Sequence, residues 1–152
     1  MHGGFTIVAD ATVVSLAVDP AIVPVALVPS SARTSTAAAR AALPATVTLA
    51  DAASGAARAA LVPLALTDAP ELLAQALEDR LHQDARLALH PDVRERFDAL
   101  RAEGIPVCVA GSGPALLAFE VAGRAVPDPG PGWRVVRVGV RATGASVERD
   151  AG

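Results

Sequence analysis

The chain has 152 residues, 52% of them apolar and only 3% aromatic, and 13 basic against 16 acidic residues leave a net charge of −3. That length suits one domain with a sizeable core, built from Leu, Val and Ala at close backbone approach rather than from aromatic rings. The charge balance gives no clustered basic footprint and so argues against nucleic acid as a partner, and because every cation is an Arg, with no Lys anywhere, a P-loop nucleotide site is excluded.

The segments FTIVAD, TVVSLAV and AIVPVALVP read as three consecutive strands, the second and third joined by a turn at Asp19-Pro20. Ala11 to Pro29 is apolar enough to suggest a membrane span, but Asp19, Pro20 and Pro24 interrupt it and its Val content favours strands. The start MHGGF has no basic segment followed by an apolar run, so no signal peptide is read, no membrane partner is expected, and the chain is expected in the cytoplasm. TSTAAARAALP offers Ser and Thr caps, a short alanine-rich helix and a stop at Pro44.

A second helix opens at Thr48, with Asp51 placed as in a capping box. Leu49, Ala52, Ala53, Ala56 and Ala60 share the face expected to pack, and Pro63 is expected to kink the helix. A third helix is read from Asp68 as N-cap through a stripe of Leu72, Leu73, Ala76, Leu77 and Leu81, with Arg80, His82 and Arg86 crowding its end. A fourth starts near Pro91, buries Val93, Phe97 and Leu100, and stops at Gly104. IPVCVA and ALLAF are strands on either side of a GSGP loop, VPDPGPG is a rigid surface loop, and in the tail Val136, Val138 and Val140 alternate with exposed Arg137 and Arg141 before a turn at Thr143-Gly144. Strands at both ends around a cluster of helices predict an α+β two-layer sandwich, one domain over residues 1–152.

Three features could carry chemistry. Thr36 and Arg40, four apart on one helix face, could grip a carboxylate or phosphate, or could be an ordinary cap-region hydroxyl and an exposed Arg. Arg80, His82 and Arg86 form a second cluster, readable as solvated charges offsetting a helix dipole. The loop Gly111, Ser112, Gly113, Pro114 could be a plain turn or could present successive N–H groups to an anion. The single Cys108 allows no internal disulfide and, set inside an apolar run, reads as a packed, inert thiol. His2, His82 and His90 have no Cys or His spaced to complete a metal site, so no metal is expected on this chain.

Taken together, GGFT, STAAARAALP, ADAASGAARAAL, LEDRLHQDAR and AGSGPALLAF resemble, in this order, the C-terminal half of homoserine kinases in the GHMP superfamily. The resemblance runs from Gly3 to the TGASV tail and implies a ferredoxin-like α+β domain. It implies that Thr36, Arg40 and Arg86 lie at the amino-acid site, with the two arginines on the substrate carboxylate. It also implies that Gly111, Ser112 and Gly113 approach the phosphates being transferred. The complete enzyme would use ATP and Mg²⁺ to phosphorylate L-homoserine in threonine biosynthesis. The family's GLGSS nucleotide loop and HPDN segment are not among these residues. The chain alone is therefore expected not to turn over, to bind neither ATP nor Mg²⁺ tightly, and to partner an N-terminal half or a second copy. Two alternatives stay open: another GHMP small-molecule kinase, or a non-catalytic module that binds a small carboxylate or a partner chain.

Overall fold

The computed structural model describes residues 3–30, 33 and 35–144; the ASV of the expected tail and His2 lie outside them. An antiparallel hairpin of β1 (Phe5–Ala9) and β2 (Thr12–Leu16) forms a small sheet of its own. Across the Asp19-Pro20 turn, where the Asp19 carboxylate accepts from the Ala21 N–H at 2.7 Å, the chain enters β3 (Ile22–Pro29). There follow α1 (Thr36–Ala41), α2 (Leu49–Thr67), a 3₁₀ turn (Pro70–Leu72), α3 (Leu73–Ala76), α4 (Gln83–Leu87) and α5 (Pro91–Ala102). Then come β4 (Val107–Val109), β5 (Leu116–Val121) and β6 (Trp133–Arg137).

The second sheet is antiparallel throughout, in the order β4-β5-β3-β6. This is the strand order of a β-α-β-β-α-β ferredoxin-like unit, and the expected α+β class is present. The first crossover holds all five helices; the second, residues 122–132, holds none. In place of a helix, Val126 plugs the core at 4% exposure, while Arg96 Nη2 donates to the Pro127 carbonyl at 2.9 Å.

Side chains alternate across a strand, so the register assigns each residue a face. Val25, Leu27, Val107, Val109, Leu116 and Ala118, with Trp133 and Val135 of β6, meet Leu87 of α4 and Val93, Phe97 and Leu100 of α5. Ile22, Leu117 and Phe119 point the other way, onto Ala65 and Leu66 of α2 and Leu73 and Ala76 of α3. The α5 stripe is as expected, with Gly104 following the C-cap Glu103 at φ +72°.

Four expectations need correction. The third helix does not run to Leu81: α3 ends at Ala76, and α4 starts afresh at Gln83. The reason is local, because the Asp79 carboxylate takes the N–H groups of Leu81, His82 and Gln83 and caps a new helix rather than letting the old one continue. Asp68 is the C-cap of α2, and Ala69, which holds the N-cap position of the 3₁₀ turn, makes no side-chain cap bond.

On α2, Thr48 and Asp51 do cap the start, the Thr48 Oγ1 accepting from the Asp51 N–H at 3.0 Å. The face of Leu49, Ala52, Ala53, Ala56 and Ala60 is exposed, however, Leu49 by 87%, and the helix packs through Leu61, Val62, Ala65 and Leu66 instead. Alanines bury too little area to dictate a face against larger side chains. Pro63 lies inside this continuous helix, and the Ala59 carbonyl that loses its donor there sits on an exposed residue within reach of water. By length and composition α2 could cross a bilayer. Its two charged residues are tied into the fold, Arg58 to Glu78 at 2.6 Å and Asp51 to Arg80 at 4.0 Å.

In the tail, Trp133 and Val135 face the core, whereas Val138 and Val140 lie beyond the end of β6 and are each 43% exposed.

Candidate functional site

The glycine loop joins β4 to β5 at the end of the sheet where β3 finishes, because Val109 and Leu27 both pair with Leu116. Its base is closed by the Ala110 N–H donating to the Ala115 carbonyl at 2.9 Å, and its tip by the Gly113 N–H donating to the Ala110 carbonyl at 3.0 Å. Gly111 and Gly113 hold φ of +58° and +76°, which glycine adopts without the strain a side chain would bring. The N–H groups of Gly111 and Ser112 find no acceptor among the described residues. Two successive unspent donors on a positive-φ turn suit an anion.

Against this loop stands α4. Its first residue, Gln83, is only 4% exposed. The Gln83 Nε2 donates to the Leu77 carbonyl at 3.0 Å, and its Oε1 accepts from the Val109 N–H at 2.7 Å, at the exit of edge strand β4. One turn on, Arg86 Nη1 donates to the Gly111 carbonyl at 2.5 Å, while its Nε is buried with no partner among the described residues. Asp79 sets the start of this helix. Burial alone would raise its carboxyl pKa, but the N–H groups of His82 and Gln83, the His82 charge and the Leu81 N–H outweigh that and hold it below the ordinary 3.8.

Of the residues expected at the site, Arg86 and Gly111 are in direct contact, with Ser112 and Gly113 completing the same turn. Thr36 and Arg40 lie exposed on α1, which leaves β3 at this end of the sheet behind the N-cap Ser35. No hydrogen bond or ion pair ties either of them to Arg86 or to the loop.

Gln83 and Asp79 escaped the sequence reading, which saw a charge cluster in EDRLHQDAR. The available signal was Asp79 itself, placed two to four residues ahead of the N–H groups it caps. His82 sets its Nε2 3.3 Å from Asp79 Oδ2. Cys108 lies on the opposite sheet face, where burial pushes its thiol up to about 11 and leaves it protonated.

A cleft of about 340 Å³ runs beside α4, bounded by Gly55, Arg58, Asp79, His82 and Gln83. Gly55 is where α2 receives Leu81, whose Cδ1 would stand 2.9 Å from a Cβ there. A slightly wider concavity of about 380 Å³ at the other end of the sheet, around Ile22, Pro24 and Val140, has Asp19 as its sole ionisable lining residue. Neither concavity is lined by Thr36, Arg40, Arg86 or the glycine loop.

Residues 57–120 match the family described as GHMP kinases C terminal. The homoserine kinase of Streptomyces avermitilis is 43% identical over 152 residues, covering 95% of this chain and 50% of that protein. The homoserine kinase of Streptomyces coelicolor is 38% identical, over 95% and 49% respectively. A crystal structure of homoserine kinase from Cytophaga hutchinsonii shares the fold, with a TM-score of 0.72 over 80% of this chain and 40% of that one, at 24% identity.

Residues 57–120 thus form a GHMP kinase C-terminal region, and the chain has the fold of that domain. Within that superfamily its curated relatives are homoserine kinases, of which it spans about half the length.

Proposed function

We propose that these residues are the substrate side of a homoserine kinase, which transfers the γ-phosphoryl group of ATP to the side-chain hydroxyl of L-homoserine. The observation that carries this reading is the Arg86–Gly111 contact, which seats a guanidinium with an unspent, buried Nε directly on the glycine loop. A guanidinium offers paired donors to a carboxylate, and Arg40 supplies a second from α1. Thr36 would orient the hydroxyl. The N–H groups of Gly111 and Ser112 would take charge that gathers on the phosphoryl oxygens.

In that step the homoserine hydroxyl oxygen bonds to the γ-phosphorus and gives up its proton to water, the bond to the β–γ bridging oxygen breaks, and ADP leaves with that bond's electron pair. Phosphoryl transfer relies chiefly on position and charge stabilisation, and these side chains provide both. The family's Mg²⁺ finds no carboxylate set here. Among the described residues no three His, Cys, Asp or Glu gather, and the loop offers only backbone and hydroxyl groups, so no step runs through a metal held by this chain.

The test compares the 152-residue chain with the product of the reading frame extended upstream of Met1, measuring ATP-dependent O-phosphohomoserine. Turnover by the extended product alone supports the proposal. Turnover by the chain itself, or an extended product that prefers another small alcohol, overturns it. In the active enzyme, Arg86→Leu or Arg40→Leu should raise the KM for homoserine by about thirtyfold, the size of a lost charged hydrogen bond. Calorimetric binding of homoserine without ATP, with no kinase activity from the extended product, would instead favour a binding module.

A further inference from the structure

We infer that Gln83 is a positioning residue that holds the glycine loop in register with Arg86, so that the two act as one unit. The inference rests on the reading of Arg86 and the loop as parts of one site.

The geometry is a two-point clamp. Gln83 and Arg86 lie three apart on α4 and so project side by side. Val109 and Gly111 lie two apart on the strand end they grip, one held through its N–H and the other through its carbonyl. The Val109 N–H belongs to an edge strand and faces away from β5, and Gln83 is its partner. Without that bond, β4 ends in an unanchored edge, and Arg86 is the one α4 side chain left holding the loop, which otherwise keeps only its own turn bonds.

The other end of the Gln83 amide is fixed too. Its Nε2 is spent on the Leu77 carbonyl, which α3 leaves free where it ends, so the amide cannot turn to another partner. Asp79 adds the third constraint by accepting three N–H groups at the start of α4, the last of them from Gln83 itself. The loop position is thereby referred to the backbone of the 77–83 turn, and Arg86 reaches it from the same short helix.

A residue that only fills space would not couple the loop to Arg86. A clamp makes the Arg86 guanidinium report on Gln83 even though the two side chains share no bond. The position of Gly111 is then set by α4 as well as by the glycine turn.

The experiment is hydrogen exchange by NMR on the 152-residue chain, following the Val109 amide and the Arg86 Nε–H in Gln83→Met and Gln83→Glu. In Gln83→Met both should exchange about tenfold faster, the effect of one lost buried hydrogen bond, while amides in α5 and β3 keep their protection. Gln83→Glu, followed at a pH low enough to keep its buried carboxyl protonated, keeps an acceptor for Val109 and a donor for Leu77 and should restore slow Arg86 Nε–H exchange. Faster exchange at Val109 with no change at Arg86 Nε–H would overturn the coupling.

If Gln83→Met does not fold, Asp79→Asn loosens the third constraint while leaving the Gln83 amide and the Arg86 guanidinium in place: faster Arg86 Nε–H exchange supports the clamp, and unchanged exchange overturns it. Because the readout needs no ligand, a chain that ignores homoserine can still show the coupling. A homoserine kinase lacking the coupling would sink this inference alone.

Discussion

On the α4–α5 side of the sheet twelve side chains close into a continuous buried cluster, whereas the α2–α3 side buries six and leaves nine apolar neighbours half-covered. The closed side carries the clamp on the glycine loop, through Gln83 and Arg86 of α4 and Val109 of β4. The open side carries Cys108, the Leu81–Gly55 contact and the bare alanine face of α2. The difference teaches that the rigid half of the candidate site is anchored where the core is complete. Thr36 and Arg40 are exposed on a six-residue helix that has a single side-chain cap bond and buries only Ala39, and they take less of their order from this core.

Core truncation should show the contrast most strongly. Leu100→Ala, at a position with no exposure, should cost about 3 kcal/mol or more in denaturant unfolding, and Leu66→Ala, on the open side, about 2 kcal/mol. Equal losses would mean that the two sides are equally well packed.

The Asp79 turn comes next. Asp79→Asn should lower stability at pH 7 by about 1 kcal/mol, as loss of a cap does. Because the folded carboxyl lies below its ordinary 3.8, its stabilisation is complete above that pH and fades as pH falls below it. The wild-type acid limb should therefore be steeper than that of the variant, and superposable limbs would remove Asp79 from the account.

At Cys108 the sign reverses. A thiol raised from 9.0 to about 11 contributes stability that is complete below pH 9 and is lost as pH rises through 11. Its labelling by an alkylating reagent at pH 8 should be far slower than that of a free thiol, and rapid labelling would show the open side to be looser than its packing implies.

The smallest effect should be at Leu49→Gln, on a side chain 87% exposed. Stability should stay within about 0.5 kcal/mol, and a larger loss would mean that the α2 face is covered in solution.

Much of the fold could be read from the chain because its signals were strong. Alternation and turn chemistry marked β1 to β3, and the i, i+4, i+7 spacing of Val93, Phe97 and Leu100 marked α5. The third helix misled because Leu77 and Leu81 continue an apolar stripe past the point where Asp79 captures the backbone. Leu81 is apolar for another reason, namely to pack on α2 at Gly55. On α2 an all-alanine periodicity carries almost no directional information, so the buried face could not be chosen.

At the site, Arg86 and the Gly111–Gly113 loop came from family-like motifs. Gln83 could not, because its value lies in an unpaired N–H on an edge strand that exists only once β4 and β5 have met.

The central place of β3 has a consequence for biosynthesis. This strand lies between β5 and β6 and pairs with both, yet it leaves the ribosome about a hundred residues ahead of either partner. At ordinary translation speeds an apolar strand with two bare edges waits on the order of ten seconds for them. Over that interval the nascent chain offers β3 to any other strand nearby, so its yield in a cell depends on what shields residues 22–29 until residue 137 has emerged.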